Sequence, residues 1–361
     1  MKIVGPGGRQ VSTDGGSPTT PTHRVLWLRP TRGENISVRR QRIANHLEAK
    51  GVAVDIQNAS GLDALNAVKQ AVTGNYDAIL GNVRMGLYVG FPIARMLDIP
   101  FAGTVSDPIT DIDSLPGPLF EVLRRYEWFA LAQADACTFT YQSTYEEAKR
   151  RRIDGRKLPN AVDYDEFADP APSAVDRAGD ILEESGVDTA KPIAIYAGGL
   201  TEETYHISDI LGAARETPEW EFVFVGEGEE EDAVAAAAET QENVYYPGSF
   251  EYELMPGFMA YASAGFCFKD AEQPLKVMEY GAAGVVTIAQ PGELQLRLDD
   301  DEAVFIRPES NEISRTLTQL EADETHREML AENLRERART ESWRAIADEF
   351  YDLLMEITSE N

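Results

Sequence analysis

Short apolar runs alternate with amphipathic segments along the chain after residue 22. The runs are continuous, as in RVLWL at 24–28, which is typical of strands buried on both faces of a parallel sheet. The intervening segments repeat apolar residues every three to four positions, which predicts helices. In the first half, strands are predicted at 24–28, 52–56, 76–82, 99–107 and 136–141. The alternation predicts an α/β fold with helices on both faces of a parallel sheet.

The same alternation starts again in the second half. Strands are predicted there at 192–200, 221–228, 243–250, 265–268, 285–290 and 303–306, and a helical tail is predicted from about Glu312. The turn-rich connector LPNAVDYDEF at 158–167, followed by two prolines, separates the two series. We therefore expect two doubly wound, Rossmann-like domains, with ligands in the cleft between the carboxyl ends of their strands.

The expected limits of the domains follow from these breaks. The first domain is predicted at 23–168 and the second at 169–340, and the final helix at 341–361 is assigned to the first domain. Residues 1–22 are rich in Gly, Ser, Thr and Pro and are predicted to form a flexible tail.

The charge of the chain is unusual in size and in distribution. The formal net charge is −29, with 25 arginines and 8 lysines. Acid-rich, lysine-poor surfaces stay hydrated at high salt, where like-charge repulsion is screened, so we predict a halophilic, archaeal source. Residues 1–165 carry 20 basic and 18 acidic residues, whereas residues 166–361 carry 13 and 44. The near-neutral first half therefore suits an anionic partner such as a membrane surface, and its small excess argues against nucleic acid.

The cysteines and the hydropathy of the chain indicate the cellular compartment of the protein. Cys137 and Cys267 both lie in apolar runs and are predicted to be reduced core thiols. No run approaches about 18 apolar residues, and the N-terminus lacks the apolar core of a signal peptide. We expect a cytoplasmic protein with peripheral contact to the inner face of the membrane. Arginines 124, 125 and 150–152 are either membrane-facing or simply solvated.

The segment EQPLKVMEYGAAG at 272–284 carries the clearest chemistry. Pro274 suits the first helical position, and the free amides of the first turn attract phosphate. Lys276 adds a positive charge, while Glu279, one turn further, suits a pair of hydroxyl donors better than a phosphate. The combination fits a nucleoside diphosphate. A surface ion pair between Lys276 and Glu279 is an equally weighted alternative.

Glycine turns end the first strands of the second half. They lie at Gly198–Gly199, at Gly226 and Gly228, and at 247–250. Glycine lets the backbone approach a ligand closely, so three such turns at strand ends favour a binding edge.

The series YAGGL, WEFVFVGEG, NVYYPGSF and PLKVMEYGAAG resembles the donor domain of GT-B glycosyltransferases, especially glycosyltransferase family 4 (group 1). LPNAVDYDEF is similar to that family's interdomain signature, and SWRAIADEFYDLL to its helix that crosses back to the first domain. RRQRIANHLEAKG and GNVRMGLYVGFPIARMLDIPF resemble acceptor-domain elements. The resemblance covers about residues 24–356. It implies sugar transfer from a UDP- or GDP-linked donor to an acceptor glycan or lipid-linked sugar, without a cofactor.

The resemblance also implies site residues. Glu279 matches a ribose-binding glutamate and Lys276 a lysine near the diphosphate. Asp107 lies where relatives have a polar residue near the reacting sugar, although it precedes Pro108 and could be a turn residue. The implied donor-binding residues are Gly198, Gly199, Phe250, Glu272, Pro274, Leu275, Lys276 and Glu279. The arginines expected to meet an anionic acceptor are Arg39, Arg40 and Arg84, with Arg29 and Arg32 nearby.

The sequence departs from the family pattern in two places. Ala271 replaces the first glutamate of the family's E-x7-E motif, with Glu272 one position away. The loop GGLTEETYHISD lacks the usual Arg and Lys, which leaves His206 as the candidate cation. Two alternatives therefore stay open, a nucleotide-sugar-binding protein without catalysis and a sugar-nucleotide epimerase. Asp299–Asp301 is interpreted as a solvated turn and not as a metal site. The resemblance implies a metal-independent enzyme that retains the anomeric configuration.

Overall fold

The computed structural model describes residues 21–30, 38–106 and 117–359. The predictions for residues 1–20, Arg32 and Asp107 lie outside these residues. The strands are β1 (His23–Arg29), β2 (Val52–Asn58), β3 (Ala78–Asn82), β4 (Phe101–Val105), β5 (Ala136–Phe139), β6 (Arg156–Lys157), β7 (Ile193–Ala197), β8 (Glu221–Val225), β9 (Val244–Gly248), β10 (Ala264–Cys267), β11 (Val286–Ala289) and β12 (Val304–Phe305).

Three of the helices have only four or five residues each, and the others are longer. The helices are α1 (Val38–Ala49), α2 (Asp63–Thr73), α3 (Met85–Leu97), α4 (Gly117–Ala132), α5 (Gln142–Arg150), α6 (Tyr164–Ala168), α7 (Pro172–Glu184), α8 (Glu202–Tyr205), α9 (Ile207–Glu216), α10 (Glu231–Thr240), α11 (Met255–Met259), α12 (Leu275–Ala283), α13 (Ser310–Ala322), α14 (Glu324–Thr340) and α15 (Trp343–Ser359).

The strands form two parallel sheets of six, with helices on both faces, as the alternating pattern predicted. The N-terminal sheet has the order β2-β1-β3-β4-β5-β6. Helices α1 and α15 cover one face of it, and α2, α3, α4 and α5 cover the other. The C-terminal sheet has the order β12-β11-β10-β7-β8-β9. Helices α9, α10 and α13 cover one face, and α7, α11, α12 and α14 cover the other.

The last helix returns to the N-terminal sheet. The backbone amide of Trp343 donates to the carbonyl of Val162 in the connector at 2.9 Å. From there α15 packs beside α1, and the rings of Trp27 and Phe350 lie 5.5 Å apart. The apolar stripe of α15 is thus buried on the first domain, which confirms that the final helix crosses back.

The carboxyl ends of the two sheets face each other. The loop between β10 and α12 contacts the first turn of α5, which follows β5: the backbone amide of Gln142 donates to the Glu272 carboxylate at 2.8 Å. In the connector, the amide of Asn160 donates to Oε1 of Gln273 at 3.1 Å. These contacts make the cleft between the two strand edges the place where loops of both domains meet. We propose residue 168 as the boundary between the two domains.

Two local predictions differ from the structure. The helical tail is divided into α13, α14 and α15, because the Asp323 side chain accepts from the amide of His326 at 3.0 Å and starts a new helix. Pro274 is the N-cap of α12, and the helix itself begins at Leu275. Within the described residues, no helix is long and apolar enough to span a membrane.

Candidate active site

The glycine turns lie side by side at the carboxyl edge of the C-terminal sheet. The amide of Gly198 donates to the carbonyl of Val225 at 2.9 Å, and the amide of Gly226 donates to that of Gly248 at 3.0 Å. Gly198, Gly226 and Gly248 have φ values of 142°, 150° and 101°, a region that side chains disfavour. A Cβ on Gly226 would lie 1.8 Å from the carbonyl oxygen of Gly198. Only glycine therefore permits this close approach of two loops.

Lys276 extends from the first turn of α12 toward these turns. Its Nζ lies 4.2 Å from the ring centroid of Tyr196 and 4.6 Å from that of Tyr205. A Cβ on Gly198 would lie 2.9 Å from the same Nζ atom, so lysine and glycine turn are adjacent. Among the described residues this buried Nζ has no hydrogen-bond partner, so it does not bond to the Glu279 carboxylate. The surface ion pair considered from the sequence is therefore not the arrangement observed.

Burial governs the charge of this lysine. Desolvation lowers the pKa of Lys276 to about 8. The two aromatic faces stabilise its cationic form without satisfying its N–H donors. The ring of Tyr196 is in turn fixed, because its hydroxyl donates to the carbonyl of Gly199 at 2.5 Å. The arrangement leaves three ammonium donors for an anion at the glycine turns.

Glu279 lies one turn further along α12 and is only 8% exposed. Its Oε1 accepts a hydrogen bond from the hydroxyl of Tyr252 at 2.8 Å. Burial raises the pKa of Glu279, while the Tyr252 hydroxyl and the nearby Lys276 charge act in the opposite direction. The Tyr252 ring meets Phe167 of α6 edge to face at 6.0 Å, which ties it to the connector.

Phe250, Pro274 and Leu275 lie around this centre. The ring of Phe250 packs on Phe258 of α11, with centroids 5.2 Å apart, in the loop after β9. Pro274 precedes the helix in an extended conformation, and Leu275 opens the first turn with an exposed side chain. The hydrogen bond from Tyr252 to Glu279 joins the loop after β9 to α12, and ligand contact by Phe250, Pro274 and Leu275 stays a prediction.

Glu272 has a different environment from the one expected for a donor ligand. Its carboxylate is 2% exposed and accepts the backbone amide of Gln142 at 2.8 and 2.9 Å. Gln142 is the first residue of α5, so the carboxylate neutralises the positive end of a helix of the other domain. The side-chain amide of Gln273 also donates to it at 2.9 Å. The observed contacts of Glu272 therefore join the two domains, and its role as a donor ligand stays a prediction.

Arg39 and Arg40, the two arginines of α1 expected to meet an acceptor, both contact other protein groups. Nη1 and Nη2 of Arg39 donate to the connector carbonyls of Pro159 at 2.6 Å and Leu158 at 2.8 Å. Arg40 is 4% exposed, and Nη1 lies 2.7 Å from the Asn82 amide oxygen, with that amide oriented so that its nitrogen donates to Thr104. Both guanidinium groups face protein, because a long side chain on the inner side of α1 reaches the connector and the strand ends. These contacts stabilise the cleft wall, and contact of either arginine with an acceptor stays a prediction.

Arg84 remains at the strand edge where an acceptor residue was expected. It precedes α3 with φ 58° and ψ −105°, an unusual backbone conformation for a residue with a side chain. Beside it, Glu127 of α4 is buried, and burial raises the pKa of this carboxyl to about 7. Strained backbone and a buried acid often occur at functional sites. Glu127 could not be identified from its sequence context, because it lies mid-helix among aromatic residues.

Within the described residues, two groups of side chains could approach a cation. In the first, Glu202 accepts from the amide and hydroxyl of Ser208 at 2.8 and 2.6 Å, so its carboxylate already satisfies the start of α9. In the second, Glu302, which follows the predicted acidic turn, accepts from Arg337 at 2.6 and 3.0 Å. We assign no metal to either group, and metal independence stays a prediction.

Sequence reasoning missed the tyrosines that surround the predicted residues. Tyr252 follows Phe250 by two positions in FEYEL, and Tyr196 and Tyr205 flank the first glycine turn. Each could be found by asking which aromatic residues lie in the same loop as a residue that is predicted to bind the donor. Their pairing with Lys276 and Glu279 depends on the meeting of three strand ends, which only the fold supplies.

Comparisons with known proteins agree with this geometry. Residues 179–337 match the family model of glycosyl transferases group 1. Anabaena HepE in complex with UDP superposes with a TM-score of 0.70 at 16% identity, covering 92% of this chain and 100% of HepE. Sucrose-phosphate synthase from Thermosynechococcus elongatus gives 0.68 at 17% identity, covering 94% and 100%. WaaG, a glycosyltransferase involved in lipopolysaccharide biosynthesis, gives 0.60 at 14% identity, covering 91% and 99%.

No curated protein matches the chain in sequence. The solved structures are too distant in sequence to show more than a common fold. The two facing parallel sheets, the returning helix and these superpositions confirm the predicted architecture. The chain has the GT-B fold, and the part of it at residues 179–337 matches the group 1 glycosyl transferases.

Proposed function

We propose that the chain is a glycosyltransferase that moves a sugar from a nucleoside diphosphate sugar to an acceptor hydroxyl. The observation that carries the proposal is Lys276, whose buried Nζ faces the Gly198 turn without a hydrogen-bond partner among the described residues. A buried cation without a partner is costly, and an anionic ligand would remove that cost. A diphosphate at the glycine turns fits this need, and Glu279 lies one turn away for the ribose hydroxyls.

The chemistry follows from where charge develops. In the transfer, the bond between the anomeric carbon and the phosphate oxygen breaks, and the acceptor oxygen bonds to that carbon after losing its proton. The departing diphosphate gains negative charge, which Lys276 and the amides of the glycine turns would stabilise. These groups need no metal, so we propose a metal-independent reaction, and the family resemblance favours retention of configuration.

The donor and acceptor classes rest on different support. The solved HepE structures contain UDP and UDP-glucose, which supports a nucleotide-linked sugar here, with UDP and GDP as the candidates. The acceptor is proposed as a glycan or a lipid-linked sugar. WaaG acts in lipopolysaccharide biosynthesis, which is in line with a lipid-linked acceptor.

Asp107 is proposed as the group that takes the acceptor proton or holds a donor hydroxyl. It lies outside the described residues, two positions after β4 ends at the carboxyl edge of the N-terminal sheet. Asp107→Asn should abolish turnover while leaving nucleotide binding intact. Unchanged turnover would remove the role.

A binding screen tests the proposed function. The melting temperature is measured with UDP, GDP or ADP, and one of the three should raise it for the wild type. The shift should largely disappear in Lys276→Met, which keeps the volume of the side chain and removes its charge. Lys269→Met is the matched control, because Lys269 is exposed on the loop that leads to the same helix. If no nucleoside diphosphate stabilises the wild type, the proposed donor site is wrong.

A further inference from the structure

An ion pair joins helix α1 of the first domain to the connector. Nε of Arg42 lies 3.0 Å from Oδ2 of Asp163, whose side chain is only 10% exposed. Nη1 of Arg42 also lies 3.7 Å from the half-exposed carboxylate of Glu166. Among the described residues, Oδ2 of Asp163 accepts no hydrogen bond of good geometry, so the Arg42 guanidinium acts as its counterion. A carboxylate withdrawn from water in this way needs such a counterion to remain charged.

The connector passes from Asp163 into the short helix α6, which packs against α12. The carbonyl of Asp163 accepts the amides of Glu166 and Phe167 at 3.0 and 3.3 Å and so starts this helix. The buried ring of Phe167 meets the ring of Tyr252 edge to face at 6.0 Å. Tyr252 in turn donates to Oε1 of Glu279 at 2.8 Å. A continuous series of contacts therefore leads from α1 of the first domain to the carboxylate that we propose to bind the ribose.

The charge of Asp163 also acts on that carboxylate. Burial is the main cause of the raised pKa of Glu279, and the negative charge of Asp163 adds to it. Burial likewise raises the pKa of Asp163 to about 6, whereas the Arg42 guanidinium acts to lower it. Burial raises the pKa of the Tyr252 hydroxyl as well, with Asp163 adding to the effect and Arg42 opposing it. Two carboxylates in one poorly solvated region cannot both keep their charge without a nearby cation.

The other charged groups of this region have different partners. A cavity of about 430 Å³ adjoins Asp163 between the connector, α1 and the start of α15. Arg344 in its wall pairs with Asp165, and Asp348 pairs with Lys50. The remaining charged or titratable residues of the wall are His46, Glu166 and Arg339. Lys276 acts on Glu279 from within α12, which leaves Arg42 as the cation whose charge acts on Asp163.

We propose that Arg42 and Asp163 are positioning residues for recognition of the ribose, an inference that rests on the proposed function. The Arg42 guanidinium compensates the Asp163 carboxylate, so that Glu279 keeps its own negative charge and can accept hydrogen bonds from the ribose hydroxyls. Asp163 also sets the start of α6 and, through Phe167, supports the Tyr252 ring. Because Arg42 lies in the first domain and Glu279 in the second, nucleotide affinity depends on the position of α1 against the connector.

Calorimetric titration with UDP, GDP or ADP, whichever stabilises the wild type, tests the proposal at about pH 6 and pH 7. In Arg42→Met the Asp163 carboxylate loses its counterion, and its charge then makes a proton on Glu279 more favourable. Glu279 is the more deeply buried of the two carboxylates, so we expect it to take up that proton as pH falls. Wild-type affinity should be equal at the two pH values, whereas that of Arg42→Met should fall about tenfold from pH 7 to pH 6.

The ribose hydroxyls provide a second readout. The preference of Arg42→Met for the nucleotide over its 2′,3′-dideoxy form should also decrease at about pH 6, because a neutral Glu279 accepts hydrogen bonds less well than a carboxylate. A loss of affinity that is caused only by a disturbed fold would leave this preference unchanged.

Two further variants and one control separate charge from structure. Arg42→Met/Asp163→Asn removes both charges and should bind the nucleotide within about twofold of the wild type at both pH values. Arg42→Lys keeps the positive charge and should also bind as the wild type does. Arg344→Met is the matched control, because Arg344 pairs with Asp165 in the same connector and both side chains are exposed.

The outcomes distinguish this inference from the proposed function. The inference is overturned, and the proposed function stands, if the wild type binds a nucleotide and Arg42→Met binds it equally well at about pH 6. It is also overturned if the double variant binds as weakly as Arg42→Met. If the wild type binds none of the three nucleotides, the proposed function and the inference are both wrong. Melting curves show whether each variant is folded, and Arg42→Gln replaces Arg42→Met in the same comparison if the latter does not fold.

Discussion

The hydroxyl of Tyr252 donates a hydrogen bond of 2.8 Å to Oε1 of Glu279 and so joins the loop after β9 to helix α12. Burial raises the pKa of Glu279, and this hydrogen bond works against that effect by stabilising the carboxylate. It also fixes the orientation of the carboxylate. Tyr252 is therefore a positioning residue for the group that we propose to bind the ribose.

Tyr252→Phe removes only the hydroxyl. We expect the affinity for the nucleoside diphosphate to fall about tenfold, because a hydrogen bond to a charged group contributes about 1.5–3 kcal/mol. Calorimetric titration measures the change. Tyr245→Phe is the control, since the Tyr245 hydroxyl donates to the carbonyl of Glu242, away from the cleft. Equal affinity in wild type and Tyr252→Phe would show that the hydrogen bond does not prepare the site.

Donor binding should weaken at alkaline pH. The pKa of Lys276 is lowered to about 8 by burial, so the free protein loses this charge as pH rises through that value. A bound diphosphate favours the charged form, and binding must then take up a proton. We expect affinity to fall up to tenfold per pH unit above about pH 8 and to be constant below about pH 7.

The Lys276→Met variant provides the reference for this titration. The pH dependence of its affinity still includes any ionisation of the nucleotide itself. The difference between the wild-type and variant profiles therefore gives the contribution of Lys276. Parallel pH profiles for the two proteins between pH 7 and pH 9.5 would show that Lys276 does not contact the phosphates.

Glu272→Gln separates a structural role from a ligand role. The carboxylate bonds to the start of α5, so the variant should lose about 1–3 kcal/mol in the free energy of unfolding and keep its nucleotide affinity. Denaturant unfolding and calorimetry measure the two quantities. Glu239→Gln, at an exposed position of α10, is the control. A large loss of affinity without a loss of stability would instead support Glu272 as a donor ligand.

Stability should rise with salt. We propose that the acidic surface reflects a halophilic source, in which repulsion among 62 acidic residues is screened. Melting temperatures between about 0.1 and 3 M potassium chloride should increase steadily as the Debye length falls to about 3 Å. A melting temperature that is independent of salt would contradict halophilic adaptation.

The sequence predicted the layers of the fold better than the contacts of individual charged residues. Continuous apolar runs such as RVLWL can be buried only in a covered parallel sheet, so the two sheets were predictable. The contacts of the charged side chains were not predictable, because they depend on which strand and helix ends meet across the cleft. Glu272 precedes α12, a helix whose first turn was predicted to bind phosphate. Its carboxylate instead contacts the first turn of α5, 130 residues away in sequence. Arg39 was expected to meet an acceptor because it lies near a strand end in the sequence. Its long side chain instead reaches the carbonyl of Leu158 in the connector.

The most direct test concerns the ribose. The nucleoside diphosphate that stabilises the wild type is titrated against wild type and Glu279→Gln, together with its 2′-deoxy and 3′-deoxy forms. If Glu279 binds the ribose hydroxyls, removal of a hydroxyl should weaken binding to the wild type about tenfold and to Glu279→Gln much less. An equal loss in both proteins, or no binding to the wild type, would contradict the proposed donor site.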